Sequence, residues 1–149
     1  MWIQRHLGKE YDDSGAWAQN GTVLAEPLRA MLAEPYFARQ PPKSCGRDLF
    51  NAAWLEKFSL QQAAAQDVQA TLAELSARTI ASAVKQYCPQ AKELYVCGGG
   101  AHNLGVLARL RQNLPQLDVS TTATLGMDPD WVEAIAFAWL AKQTLEGAP

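Results

Sequence analysis

The sequence has little of what marks membrane, secreted or nucleic-acid-binding proteins. Its apolar runs are all shorter than the ~20 residues of a membrane-spanning helix, and residues 1–6 lack the apolar core of a secretion signal. Charged residues make up only 19% of the chain and the net charge is −2, which gives no electrostatic reason for binding a polyanion. We therefore expect a cytoplasmic protein with neither a membrane nor a nucleic acid as partner.

Cysteine and histidine are also scarce. The three cysteines, Cys45, Cys88 and Cys97, form no C-x-x-C pair, so we expect reduced thiols. Cys88 and Cys97 lie in apolar segments and are expected in the core. The two histidines, His6 and His102, are far apart, and neither lies near a cysteine at the spacing of metal ligands. The sequence predicts no metal site.

The composition is that of a globular domain. Hydrophobic residues make up 48% of the 149 residues, which is enough for a single domain with a core, spanning residues 1–149. Met1 is followed at once by Trp2 and Ile3, which begin a segment of helical character with no capping residue ahead of it. This beginning leads us to expect a fragment of a longer protein.

Helical spacing is clearest over residues 67–87, where apolar side chains recur every three or four positions. Asp67 is the expected N-cap of this helix. A shorter helix is expected within residues 22–33, and Pro35 is expected to close it. Residues 35–51 have no periodicity, but they carry three aromatic side chains, which favours a loop that packs against the body.

One β-α-β unit is predicted in the second half of the chain. It consists of a strand, a helix and a second strand, at residues 93–97, 104–113 and 117–121. Such a unit makes the two strands parallel. The predicted fold class is therefore α/β, rich in helix, with a small parallel sheet.

The final helix, residues 129–145, is apolar on every side except at Glu133, so we predict that it is buried. Two strands cannot cover helices of this kind. Further strands would have to come from sequence upstream of Met1, or a second copy of the chain would have to cover the helix.

Three consecutive glycines, Gly98, Gly99 and Gly100, join the first predicted strand to the next helix. Without Cβ atoms, such a turn lets backbone N–H groups approach a ligand closely, and the helix N-terminus adds a partial positive charge. The arrangement suits the phosphates or the sugar edge of a nucleotide. The alternative is a strand-to-helix turn that needs glycine only for its geometry.

Two other places carry candidate binding residues. Glu133 could bind a substrate hydroxyl from its apolar helix, or it could fold back onto Asp130 in a capping box. Lys43, Ser44 and Arg47 share a loop that could hold a phosphate or a sugar carboxylate, with Arg47 binding in a bidentate manner. The alternative for this cluster is an ordinary solvated loop.

Several blocks taken together resemble the C-terminal part of anhydro-N-acetylmuramic acid kinases, and the resemblance covers nearly the whole chain. The blocks are Trp2-Ile3, Gly8-Lys9, Tyr11-Asp12 and residues 35–37, 42–48, 50–51, 67–75, 96–103 and 133–141. The resemblance implies a partial lobe of the actin-like ATPase, ribonuclease H-like fold. It also implies a bacterial, cytoplasmic enzyme of cell-wall recycling that uses ATP and Mg²⁺ to convert 1,6-anhydro-N-acetylmuramic acid to N-acetylmuramic acid 6-phosphate.

The resemblance also implies site residues. The family's glycine turn lies against the adenosine part of the nucleotide, which gives nucleotide-binding roles to Gly98, Gly99, Gly100 and Asn103. On the sugar side it implies roles for Glu133 and for three residues of the 42–48 loop, which are Lys43, Ser44 and Arg47.

Some of the family's pattern is missing. Its N-terminal phosphate-binding loop and its Asp-Thr-Gly-Pro-Gly-Asn segment are absent, and the catalytic base is expected there, upstream of Met1. Two substitutions are mild: Cys45 stands for threonine and Asp48 for glutamate. We therefore expect the chain alone to be inactive and to self-associate. The alternative is a small non-catalytic domain that binds a nucleotide or a partner protein.

Overall fold

The computed structural model describes residues 2–46 and 48–148. Helices dominate it. The α-helices are α1 Trp2–Leu7, α2 Ala16–Gln19, α3 Ala25–Leu32, α4 Pro35–Ala38, α5 Ala52–Leu55, α6 Ala65–Tyr87, α7 Leu104–Asn113 and α8 Val132–Leu145. Short 3-10 turns lie at Asp13–Gly15, Glu56–Phe58, Gly98–His102, Thr122–Leu125 and Pro129–Trp131.

The two strands are β1 Glu93–Val96 and β2 Asp118–Thr121. They pair in parallel, with Leu94 opposite Val119. Helix α7 connects them, so the described residues contain one β-α-β unit. The prediction of a helix-rich α/β fold with a small parallel sheet is confirmed.

Helix α6 runs through the middle of the molecule and serves two apolar cores. Its first half, with Val68 and Leu75, packs against Met31 of α3 and Trp54 of α5. Its second half belongs to the other core, whose buried members are Ala77, Ala81, Leu110, Leu114 and Val119. The sheet packs on this second core through Leu94 and Val96. Side chains alternate along a strand, so Tyr95 points to the opposite face of the sheet.

The segment between α3 and α6 is partly helical, which the sequence did not indicate. Pro35 takes the first position of α4 instead of simply ending α3. The prediction that residues 35–51 pack against the body is confirmed, because Phe37 and Phe50 stack at 5.4 Å between ring centroids. Phe50 in turn meets the buried Trp54 edge-on, at 5.1 Å.

Asp67 does not cap α6, contrary to the prediction. The helix begins two residues earlier, at Ala65, and its N-cap is Ala64. Asp67 accepts a hydrogen bond from the backbone N–H of Thr22 at 2.7 Å instead. The carboxylate of Asp67 is therefore occupied by a residue 45 positions earlier in the sequence and not by the N-terminus of α6.

The prediction that the last helix is buried is wrong for this chain. Helix α8 has no buried residue, and the side chains of Phe137 and Trp139 are 64% and 56% exposed. The prediction of buried Cys88 and Cys97 is wrong as well, because both are exposed. Within residues 2–46 and 48–148, no helix is both long and apolar enough to cross a bilayer.

Candidate functional site

The glycine turn follows directly from the end of β1. Cys97 leaves the strand in an extended conformation, and Gly98–His102 forms a single 3-10 turn before α7 begins. Gly98 has φ +65°, a left-handed value that glycine adopts without strain. A Cβ atom placed on Gly98 or Gly99 would meet no other described atom within 4 Å. The outer side of this turn is therefore open, and a ligand can approach its backbone.

Asn103 joins the turn to α7. Its side-chain oxygen accepts a hydrogen bond from the backbone N–H of Val106 at 3.0 Å, which makes it the N-cap of the helix. Its own N–H donates to the carbonyl of Gly100 at 3.2 Å. The predicted nucleotide-binding residue thus has a structural role that the sequence analysis did not assign to it.

A cleft of about 1160 Å³ lies between the glycine turn and the helical half of the molecule. Gly99, His102 and Asn103 line it from the glycine turn, and Trp2 and Trp54 line it from the helical half. Helix α6 contributes four lining residues at helical spacing, which are Gln69, Leu72, Ala73 and Ser76. Apolar surface with a few amide and hydroxyl groups suits a flat ring that carries a sugar.

Sequence reasoning missed most of this cleft. The sequence analysis assigns no binding role to Gln69 or Ser76, since polar side chains of an amphipathic helix are usually solvated. It assigns no binding role to the aromatic side chains of the cleft either, because large aromatic side chains are more often part of a core. Only the glycine turn pointed to the cleft, through its run of residues without Cβ atoms.

The structure places Lys43 and Ser44 elsewhere. The Lys43 ammonium donates to the carbonyls of Phe37 at 2.9 Å and Tyr36 at 3.4 Å, and it lies 5.2 Å from the centroid of the Tyr36 ring. A lysine at these carbonyls caps the end of α4. Ser44 is exposed, and Arg47 lies outside the described residues. The Cys45 side chain, mainly as a hydrogen-bond partner, raises the pKa of the Tyr36 hydroxyl.

Glu133 is exposed, because the helix that carries it is exposed. The alternative capping box with Asp130 is not formed: α8 has Trp131 at its N-cap, with no side-chain hydrogen bond there. Asp130 instead pairs with Nε2 of His102 at 2.9 Å. That pair links the glycine turn to the beginning of α8.

The structure therefore brings together only part of the predicted set. Gly99 and Asn103 line the cleft, whereas Gly98, Gly100, Lys43, Ser44 and Glu133 are not among its described lining residues. Tyr11, Asp12, Asp13 and Ser14 come from the first loop of the chain and complete the cleft. Over residues 2–46 and 48–148, no three His, Cys, Asp or Glu side chains are grouped as a metal would require.

Comparison with known proteins agrees with the family resemblance. The family model described as anhydro-N-acetylmuramic acid kinase matches residues 1–149. The chain is 48% identical over 148 residues to a protein of that name from Nitrosomonas europaea, covering 99% of this chain and 41% of the relative. Its identity to the namesake from Thiobacillus denitrificans is 51% over 149 residues, covering 98% of this chain and 40% of the relative.

A third similar protein of the same name, from Cupriavidus metallidurans, is 51% identical over 152 residues, covering 99% of this chain and 40% of the relative. The chain spans about two fifths of the length of the curated relatives that it matches.

Proposed function

This chain belongs to the anhydro-N-acetylmuramic acid kinase family, and on that premise we propose that it supplies part of the nucleotide-binding lobe of an ATP-dependent sugar kinase. In this proposal residues 1–149 are a single domain, the C-terminal part of an actin-like lobe. The longer protein converts 1,6-anhydro-N-acetylmuramic acid to N-acetylmuramic acid 6-phosphate, with ATP as phosphoryl donor, in cytoplasmic recycling of bacterial cell-wall sugars.

The observation that carries the proposal is the open glycine turn at the edge of the cleft. Side chains are absent where a nucleoside would approach the turn, since a Cβ on Gly99 would meet no described atom within 4 Å. Apolar and amide groups of the cleft, among them Leu72, Ala73 and Gln69, offer a surface for a purine ring and polar partners for its edge. These features fit the nucleoside half of ATP.

The metal belongs elsewhere in this proposal. The described residues hold no group of three metal-ligating side chains, so they contain no all-protein cage for Mg²⁺, which kinases usually bind through one or two carboxylates and the phosphates. Phosphoryl transfer needs the phosphates, the metal and the nucleophile held together. We assign no catalytic residue to this chain, and we propose that it is inactive alone and that the base lies in sequence upstream of Met1.

The sugar-side roles of Glu133, Lys43, Ser44 and Arg47 remain part of the proposal. Lys43 uses two of its three N–H donors on the carbonyls of α4, so one donor is left for a ligand. Glu133 is exposed, so its carboxylate is accessible to a substrate that another part of a longer protein holds.

The proposal is tested by titrating Mg-ADP into the 149-residue chain in a calorimeter, beside the variant Gly99→Val. Valine would fill the open space over the turn, and we expect binding to weaken by at least about tenfold. The variant Ala38→Val adds the same side chain to an exposed position of α4, outside the described cleft lining, and should leave binding unchanged. Equal binding by all three proteins would contradict the assignment of the glycine turn.

A second candidate function is a non-catalytic domain that binds a partner protein. The exposed apolar surface of α8 favours it, because monomeric proteins rarely expose such patches. A chain that bound no nucleotide at millimolar Mg-ADP but self-associated through α8 would support this second function over the first.

A further inference from the structure

We propose that Gly15 is a positioning residue for the glycine turn, acting through Asn103. This inference rests on the proposed nucleotide site and identifies what holds that site in shape. Gly15 is not among the described residues that line the cleft, so it would act without touching the ligand.

The contact between Gly15 and Asn103 leaves no room for a side chain. Gly15 is buried and has φ +71°. A Cβ atom on Gly15 would lie 2.2 Å from Oδ1 of Asn103, 3.0 Å from its Cγ and 3.2 Å from the backbone nitrogen of Gly105. The Asn103 amide cannot turn away freely, since its Oδ1 accepts the capping hydrogen bond from Val106.

The loop that carries Gly15 is itself held firmly. The two carboxylate oxygens of Asp12 accept hydrogen bonds from the backbone N–H groups of Trp17 at 2.8 Å and Ala18 at 2.9 Å. The N–H of Gly15 donates to the carbonyl of Asp12 at 2.9 Å. Gln66 at the beginning of α6 donates to the carbonyl of Trp17 at 3.0 Å. These hydrogen bonds fix the loop that carries Gly15 relative to α6.

Displacing Asn103 would move the turn. Its N–H is bonded to the carbonyl of Gly100, and it directly follows the turn Gly98–His102 in sequence. A side chain at position 15 would push Asn103 away from its present place. The capping hydrogen bond from Val106 would then be stretched, and the glycine turn would shift relative to the cleft. Binding sites lose much of their affinity when their backbone is misplaced by about 1 Å.

The test compares Gly15→Ala with Gly8→Ala in the 149-residue chain. Gly8 has φ +67°, and a Cβ there meets no described atom within 4 Å, so its variant carries the same backbone strain without the overlap. We expect Gly15→Ala to weaken Mg-ADP binding by at least about tenfold and to shift the amide NMR resonances of Gly98, Gly99 and Gly100. Gly8→Ala should do neither.

A double-mutant cycle separates positioning from general damage. Asn103→Gly removes the overlapping atoms, and glycine is tolerated at an N-cap. In that background, Gly15→Ala should have little further effect on the resonances of the turn. These resonances are the readout of the cycle, because Asn103 itself lines the cleft and its replacement changes affinity directly. If Gly15→Ala alone fails to fold, recovery of the fold in the double variant supports the proposal, and failure to recover overturns it.

The outcomes distinguish this inference from the proposed function. If the parent chain binds no Mg-ADP, the nucleotide assignment fails, but the resonances of the turn still report whether Gly15 positions it. Unchanged resonances of Gly98, Gly99 and Gly100 in Gly15→Ala overturn the positioning role, whether or not nucleotide binds.

Discussion

At the scale of single residues, Thr71 illustrates how one hydroxyl joins distant parts of the chain. Its side chain is fully buried in α6. The Oγ1 atom accepts a hydrogen bond from the backbone N–H of Leu24 at 2.9 Å and donates to the carbonyl of Asp67 at 2.7 Å. With the neighbouring bond from Thr22 to Asp67, it ties the segment before α3 to the central helix.

We predict that Thr71→Val destabilises the protein by about 1–3 kcal/mol, because the partly buried N–H of Leu24 loses its hydrogen-bond acceptor. Urea denaturation followed by circular dichroism measures the loss. Thr79→Val is the matched control, since the Thr79 hydroxyl bonds only to a carbonyl of its own helix, that of Ser76. Equal losses in the two variants would show that the bond to Leu24 contributes nothing.

At the scale of elements, an ionic network holds α7 against α6. Glu74 is nearly buried, and its carboxylate lies 2.7 Å from Nε of Arg78 and 3.4 Å from Nε of Arg109. Arg109 reaches it from α7, and the Arg109 side chain is only 14% exposed. The network joins α6 to α7 and so helps to place the helix that follows the glycine turn.

Replacing Glu74 by glutamine leaves the Arg109 charge without a counter-charge, and we predict a loss of about 1–3 kcal/mol in unfolding free energy. The pair is partly hydrated, so the loss stays below that of a fully buried pair. Glu26→Gln breaks an ion pair with Arg29 on α3 in which both side chains are about three-quarters exposed, and it should change stability by under ~0.5 kcal/mol. Thermal or urea unfolding of both variants measures the two changes in unfolding free energy, and equal changes would contradict this prediction.

At the scale of the whole molecule, the dominant feature is an apolar helix with no cover. Helix α8 touches the body mainly through the turn Pro129–Trp131, which lies against the glycine turn. Phe137, Trp139 and Leu145 are 64%, 56% and 89% exposed. An isolated helix of 14 residues is only marginally stable in water, so burial of its apolar surface provides a strong drive for association.

We predict that the 149-residue chain self-associates through α8. Size-exclusion chromatography with light scattering should report a mass above that of one chain at micromolar concentration. The double variant Phe137→Asp, Trp139→Lys should shift the protein toward the monomer, because charges on the helix oppose its burial. Leu7→Lys changes a similarly exposed apolar residue of α1 and serves as the control. A monodisperse monomer of the parent chain would contradict the prediction.

The sequence by itself determined the local elements of this protein. Helical spacing indicated α6 and α7, and three glycines between an apolar run and a helix indicated the turn that follows β1. These signals are local, since they depend on side-chain periodicity and on backbone freedom within a few residues. Blocks of residues in a given order also identified the family, which the comparison confirmed.

The tertiary structure alone decided which side chains meet. Asp67 bonds to a residue 45 positions earlier, and Gly15 is pressed against Asn103, because the chain folds back on itself at places that no local pattern marks. It also decided that α8 is exposed here: an apolar sequence says that a helix gains free energy by burial, but only the presence of neighbouring elements decides whether it is buried. The physical reason for both is that packing depends on contacts between residues far apart in sequence.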